Sequence, residues 1–277
     1  MGLALYGWGP TWTSVASGLG IALAAGVVLA VLIGLFSLRV RAIFYAMITL
    51  AVASAFAILA AQLSEFTRGE DGRSFRVPEL LRPASRFIEL PLIGSISGRT
   101  VAYYLVFVAS TLLFLAALRI VNSPFGRVLQ AIRENDFRAE ALGYRTVSDR
   151  TVANCLAAAM AVLAGGLDSL WLRYTGPDTT LSFAIMVDIL LMVVIGGMGT
   201  MYGAVIGTTL FVLAQNYLQK LMAVAAKASE ALPVLANLLQ PDRWLHWLGV
   251  LFVASVYFFP AGIVGKLRAA KPSRGRP

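Results

Sequence analysis

Few residues of this 277-residue sequence could carry out chemistry, and they are dispersed. His246 is the single histidine and stands among Trp244 and Trp247 at the start of an apolar run, a setting typical of a membrane-interface aromatic belt. No acids cluster with it, so neither a Ser/His/Asp arrangement nor a histidine-rich metal site is visible. Cys155, the single cysteine, lies inside another apolar run. It can form no intrachain disulfide and no cysteine zinc cluster. Two acids also fall within apolar runs. Asp188 is six residues into one, where a charge costs roughly 2.5–3.5 kcal/mol at mid-helix on insertion scales. Such a group faces a bundle interior or water, so Asp188 reads either as a polar tie between helices or an interfacial group, or as a path-lining or gating residue. Asp168, followed by Ser169 and four residues before its run ends, reads as interfacial. No G-x-x-x-x-G-K-[ST] loop occurs, so the sequence predicts no ATP binding by this chain. No cofactor or metal is implied.

The elements that must hold these residues follow from composition. Hydrophobic residues make up 58% and charged residues 13% of the chain, against roughly 45–50% and about 25% in a soluble domain. A water-soluble globule is excluded, because the polar surface it needs is missing. Seven runs meet or approach the roughly 20 apolar residues that span a bilayer as a helix: 13–38, 42–63, 101–121, 151–172, 182–198, 202–222 and 244–264. Backbone groups in lipid find partners only within helices or closed barrels, and unbroken runs of this length disfavour a barrel. The fold class expected is an all-α polytopic membrane protein of about seven transmembrane helices in one membrane domain over 1–277. The first run is too long for a cleaved signal peptide and lacks its basic leader.

The net charge of +9 takes its meaning from placement. One topology puts the 39–41 turn, the 122–150 loop and the polar, basic tail 266–277 on one side. With residues at span ends assigned to the nearest loop, that side holds 13 Lys/Arg against 10 on the other. The positive-inside rule makes it the cytoplasmic side and places the N-terminus outside. Segment 64–100 is then external. Its density of Gly and Pro predicts loop with short surface helices. The basic balance is a topology signal, and no nucleic-acid partner is implied.

The longest cytoplasmic loop carries a helix pattern. Ser123 is a candidate N-cap and Pro124 occupies the first helical position. Phe125, Val128, Leu129 and Ile132 recur at i, i+3, i+4 and i+7, leaving Arg127, Arg133 and Glu134 on other faces. A second segment, 137–142, ends at Gly143, a good C′ residue. The pattern fits a helix lying on the membrane surface or one that docks a soluble partner. Further along, Gly196, Gly197, Gly199, Gly203 and Gly207 punctuate two apolar runs. Gly costs roughly 1 kcal/mol relative to Ala in a helix interior, so a break near 196–199 is expected. The four-residue spacing of Gly199, Gly203 and Gly207 gives a small-residue stripe that admits a close neighbour. Tight packing and a hinge beside a transport path are both consistent with it.

Three stretches carry a resemblance. SPFGRVLQAIRE at 123–134 with AEALG at 139–143, RAIFYAMITLA at 41–51 with RGEDG at 68–72, and SFAIMVDILLMVVIGGMGTMYGAVIG at 182–207 occur in this order. Together they resemble the permeases of branched-chain amino-acid ABC importers, LivM-like in type. Compared with that family the chain looks short at its N-terminus, lacking further upstream spans and a Gly-rich segment. The second Gly of the family's T-G-G loop is shifted to Arg68-Gly69, and the membrane acid is Asp188 rather than the more usual Glu.

The resemblance implies a permease subunit, not an enzyme, in a bacterial-type inner membrane. It passes branched-chain or other hydrophobic amino acids inward by alternating access. Its implied partners are separate ATPase subunits, a second permease subunit, identical or similar, and an external substrate-binding protein. Pro124 and Gly126 would shape the coupling helix, Phe125 and Ile132 would anchor it, Arg127, Arg133, Glu134 and Glu140 would contact the ATPase, and Gly143 would end it. Two other readings stay open: an ion- or proton-coupled secondary transporter using Asp188, and an integral membrane enzyme or scaffold.

Overall fold

The computed structural model describes residues 9–37, 42–82, 86–90 and 94–228, with isolated positions 7, 243, 246–247, 249–250, 252–253 and 257. The chain falls into two compact units, Met1–Ser182 and Phe183–Pro277. In the first, α1 (Trp12–Ser37), α2 (Ala42–Gln62), α4 (Gly98–Val121) and α7 (Thr146–Leu172) are long and apolar. Short elements connect them: α3 (Ser64–Thr67), α5 (Pro124–Glu134), α6 (Asp136–Ala141) and α8 (Pro177–Thr180). In the second unit, α9 (Phe183–Gly196, 14 residues) and α10 (Met201–Ala228, 28 residues) form a hairpin.

Five stretches of the described residues are long and apolar enough to cross a membrane: Trp12–Leu35, Phe44–Gln62, Gly98–Val121, Thr146–Leu172 and Pro177–Gly196. They coincide with the first five expected runs. The sixth run, 202–222, lies within α10. The seventh, 244–264, lies outside the described residues but for isolated positions, as do the 39–41 turn and the 266–277 tail entirely and, of the 223–243 link, all but its start and Arg243. The architecture is that of an all-α polytopic membrane protein.

Helix packing in the first unit relies on small residues and one amide. α1 lies against α7. A Cβ at Gly26 would meet the Val162 side chain, and one at Gly34 would meet Thr151. Asn154 Nδ2 donates to the Ala30 carbonyl at 2.9 Å, and Tyr45 Oη donates to Asn154 Oδ1 at 3.5 Å. One α7 side chain therefore ties α1 to α2. In lipid, where burial of apolar surface drives helices together weakly, close backbones and interhelical hydrogen bonds take over that role.

The connecting segment 64–100 is more ordered than its Gly and Pro content implied. Besides short helices it contributes β1 (Arg73–Ser74), β2 (Arg86–Leu90) and β3 (Gly94–Ser97). β2 and β3 form an antiparallel hairpin, with Ile88 opposite Ile96. β1 pairs antiparallel with β4 (Tyr174–Thr175), Arg73 opposite Thr175. This brings together two segments that the charge distribution had assigned to one side. Under the ribbon, Phe75, Val77 and Leu81 pack with Val15, Ala102 and Leu170 into a small buried cluster. It closes the end of the helix bundle where α4 begins and α7 stops.

Candidate functional site

At the other end of α4 the chain folds back sharply into α5. Ser123 caps the new helix: its Oγ accepts from the Gly126 amide at 3.3 Å and donates to the Ile120 carbonyl at 2.6 Å. Pro124 fills the first helical position. Gly126 is buried, and a Cβ there would drive into the Val121 carbonyl oxygen. The glycine is what allows α5 to lie against the last turn of α4. The amphipathic face expected from sequence forms. Ile132 is buried, and Phe125, Val128 and Leu129 are half-buried, while Arg127, Arg133 and Glu134 are exposed. α5 contacts α4, α6 and α7, so part of its apolar face is covered by the chain itself.

Asn135 serves two helices. It ends α5 and starts α6, its Oδ1 accepting from the Arg138 amide at 3.0 Å. α6 closes in a Schellman turn. Gly143 sits at φ 91, its amide donates to the Glu140 carbonyl at 2.9 Å, and the Tyr144 amide donates to the Ala139 carbonyl at 3.2 Å. The glycine demanded at C′ for its left-handed backbone is thus in place.

Two side-chain contacts that sequence reasoning missed then fix α6 to α7. Arg150 Nη2 pairs with Asp136 Oδ2 at 2.8 Å. The buried Thr146 hydroxyl donates to Glu140 Oε1 at 2.7 Å. Glu140, expected to face a partner, therefore has one oxygen engaged within its own chain. Helical spacing could not reveal these pairs, because Asp136 and Arg150 are 14 positions apart and meet only once the chain has turned at Gly143. The large apolar side chains most exposed in this loop are Phe137 and Leu142, at 86% and 72%.

The glycine-rich segment of the second unit turns between α9 and α10. Gly197 and Gly199 have φ values of 119 and 90, conformations closed to most L residues. Thr200 Oγ1 donates to the Gly197 carbonyl at 3.2 Å. The expected break is present. The expected stripe is altered: Gly199 belongs to the turn, whereas Gly203 and Gly207 line α10 and face Gly196 on α9. A Cβ on Gly196 would strike the Gly203 carbonyl oxygen, and one on Gly207 would strike the Met192 carbonyl oxygen. The two helices touch backbone to backbone. Ile195 and Phe211 are buried beside this contact, with Leu191, Met192, Leu218 and Phe252 packed around them. Asp188, on α9, is half-buried and makes no hydrogen bond or ion pair among the described residues. It belongs to the second unit, and the loop residues belong to the first.

Comparison with known proteins decides the class. The sequence profile described as "Branched-chain amino acid transport system / permease component" matches residues 1–254. The chain belongs to this family. It is 29% identical over 179 residues to a protein of Methanocaldococcus jannaschii named as a probable branched-chain amino acid transport permease protein LivM, covering 62% of this chain and 48% of that one. It is 28% identical over 204 residues to the high-affinity branched-chain amino acid transport system permease protein LivM of Escherichia coli K12, and 26% identical over 202 residues to that of Salmonella typhimurium LT2. Each match covers 68% of this chain and 47% of the relative. The chain spans about half the length of the curated relatives it matches. No solved structure gives a significant match.

As a member of a transport permease family with several apolar helices, this chain is a multi-pass membrane protein. Its T-R-G-E-D-G loop now has a geometry. Thr67 Oγ1 donates to the Ala60 carbonyl at 2.6 Å and accepts from the Gly69 amide at 3.1 Å. Arg68, standing where the family pattern quoted above has Gly, takes φ 63, at roughly 1–2 kcal/mol above a right-handed backbone.

Proposed function

We propose that this chain is the membrane-spanning permease subunit of an ATP-driven importer that passes branched-chain or other hydrophobic amino acids to the cytoplasm by alternating access. The observation that carries the proposal is the family match along residues 1–254. Support comes from the capped α5 and α6 pair that interrupts two spans and presents Arg127, Arg133 and Glu134 to solvent. On this reading the 122–150 loop lies in the cytoplasm and docks on a separate ATPase subunit, with the exposed Phe137 and Leu142 as apolar contacts. Segment 64–100 lies outside, toward a substrate-binding protein, and a second permease subunit completes the path in the inner membrane. The whole of 1–277 then works as one permease domain. Asp188 and the hairpin glycines Gly196, Gly197, Gly199 and Gly203 line or hinge that path.

The test is substrate-stimulated ATP hydrolysis and ATP-driven leucine uptake by the assembled complex in proteoliposomes. Gly143→Pro is expected to abolish both, because proline cannot adopt a positive φ. Glu140→Ala, which frees Thr146, is expected to do the same while the chain still reaches the membrane. Normal ATP-driven uptake by both variants would reject the docking role of the loop. Leucine uptake by this chain alone, without ATPase subunits, would reject the importer reading in favour of an ion-coupled carrier.

A further inference from the structure

Among the described residues, a cavity that the proposed transport role does not use opens in the first unit. It lies between α4 and α7, has a volume of about 470 Å³, and is lined by Tyr103, Phe107 and Leu113 from α4 and by Leu167, Asp168 and Trp171 from α7, among others. Clefts of roughly 300–1,000 Å³ with an apolar lining and few polar groups are the usual form of small-molecule sites. From Tyr103 to Leu113 the cavity follows roughly 15 Å of helix. The Tyr103 ring stacks parallel to Phe107 with centroids 6.3 Å apart, and meets Trp171 edge-on at 6.5 Å. Three aromatic rings thus form one wall at the end where α4 begins and α7 stops.

Asp168 shares the cavity face of α7 with Leu167 and Trp171, as i, i+3 spacing requires. Its side chain is exposed, makes no hydrogen bond or ion pair among the described residues, and has no Lys or Arg beside it in the cavity lining. A carboxylate on a membrane-spanning helix faces water or protein in preference to hydrocarbon. Set one turn from the end of α7, it lies at the wettable rim of the cavity. Its complement is a cation, and the faces of nearby aromatic rings attract the same charge.

We propose that this cavity binds a primary ammonium carried on an apolar body. Asp168 pairs with the ammonium, Tyr103 and Trp171 flank it, and Phe107, Leu113 and Leu167 receive the apolar part. For the source of the ligand the inference rests on the permease reading: it is a hydrophobic amino acid, whose own carboxylate stays in water at the rim because no cation lines the cavity.

The test is calorimetric titration of the purified full chain, in phosphatidylcholine nanodiscs, with 3-methylbutylamine. Saturable binding is expected, at least tenfold tighter than that of 3-methylbutanol or 3-methylbutanoate, and at least tenfold weaker in Asp168→Asn. Equal binding of amine and alcohol to the unaltered chain overturns the proposal, as does undiminished amine binding by Asp168→Asn. The first comparison needs no variant to fold. If nanodiscs containing phosphatidylethanolamine abolish amine binding, the ammonium site stands but its ligand is a lipid headgroup, and the amino-acid assignment falls. Amine binding needs no ATPase. Binding without ATP-driven uptake by the assembled complex would therefore keep the cavity and reject the permease reading, and uptake without binding would do the reverse.

Discussion

The loop around α5 and α6 and the hairpin of α9 and α10 are both glycine-dependent, yet they are built on opposite principles. The loop is held by side chains. Ser123 and Asn135 cap its helices, Glu140 receives Thr146, and Asp136 pairs with Arg150. The hairpin is held by the lack of side chains, since Gly196, Gly203 and Gly207 let two backbones touch. The difference follows the solvent. At a wet surface the two caps satisfy backbone amides, each worth about 1 kcal/mol, and the two side-chain pairs add about as much or less. In a lipid environment, close approach of backbones is the strongest interaction that apolar helices can offer one another. The loop's polar ties can be lost one small step at a time, and only at Gly126 does it share the hairpin's dependence on a contact that a single added methyl would break.

The largest effect expected from this contrast is at Gly207. A Gly207→Val side chain collides with the Met192 carbonyl, and overpacking of that kind costs about 3 kcal/mol. The variant should lose monodispersity and heat resistance in detergent; wild-type thermal behaviour would show that the helices separate without penalty. Next comes a pair of loop glycines that differ only in surroundings. Gly126→Ala meets the Val121 carbonyl and is expected to cost about 2 kcal/mol. Gly143→Ala has open space around it but must hold φ 91, a penalty of about 1 kcal/mol. Comparing the thermal midpoints of the two variants tests that order, and a reversal would mean that conformation outweighs contact in this loop. Smallest is the Asp136 and Arg150 pair. Their side chains are 43% and 34% exposed, so solvent screens them and a double-mutant cycle should give at most about 1 kcal/mol. That coupling should shrink further in high salt; a larger, salt-insensitive value would make the pair the main fastener of α6.

Hydropathy made the long helices legible to within a few residues, because a bilayer leaves one solution to a long apolar run. Ser123, Pro124 and Gly143 could be read as caps because capping is a local matter of a few consecutive residues. Where the structure departs from the reading, the cause is non-local. α7 begins at Thr146, ahead of the expected 151, since its polar first turn is stabilised by Glu140 across the loop. β1 and β4 are two residues long and about a hundred positions apart, too short for any alternation to signal them. Gly199 shares the spacing of Gly203 and Gly207, but spacing does not tell a turn from a helix face. Asp168 read as an interfacial acid because the cavity beside it is made by a second helix.

The unequal lengths of α9 and α10 carry a mechanical consequence. At 14 and 28 residues they extend about 21 Å and about 42 Å from their shared turn. Backbone contact at Gly196, Gly203 and Gly207 obliges the last turns of α9 and the first turns of α10 to move as one body about that turn. For any given angle, the far end of the longer arm then sweeps twice the arc of the shorter one, so a small tilt at the glycines becomes a large excursion at Ala228.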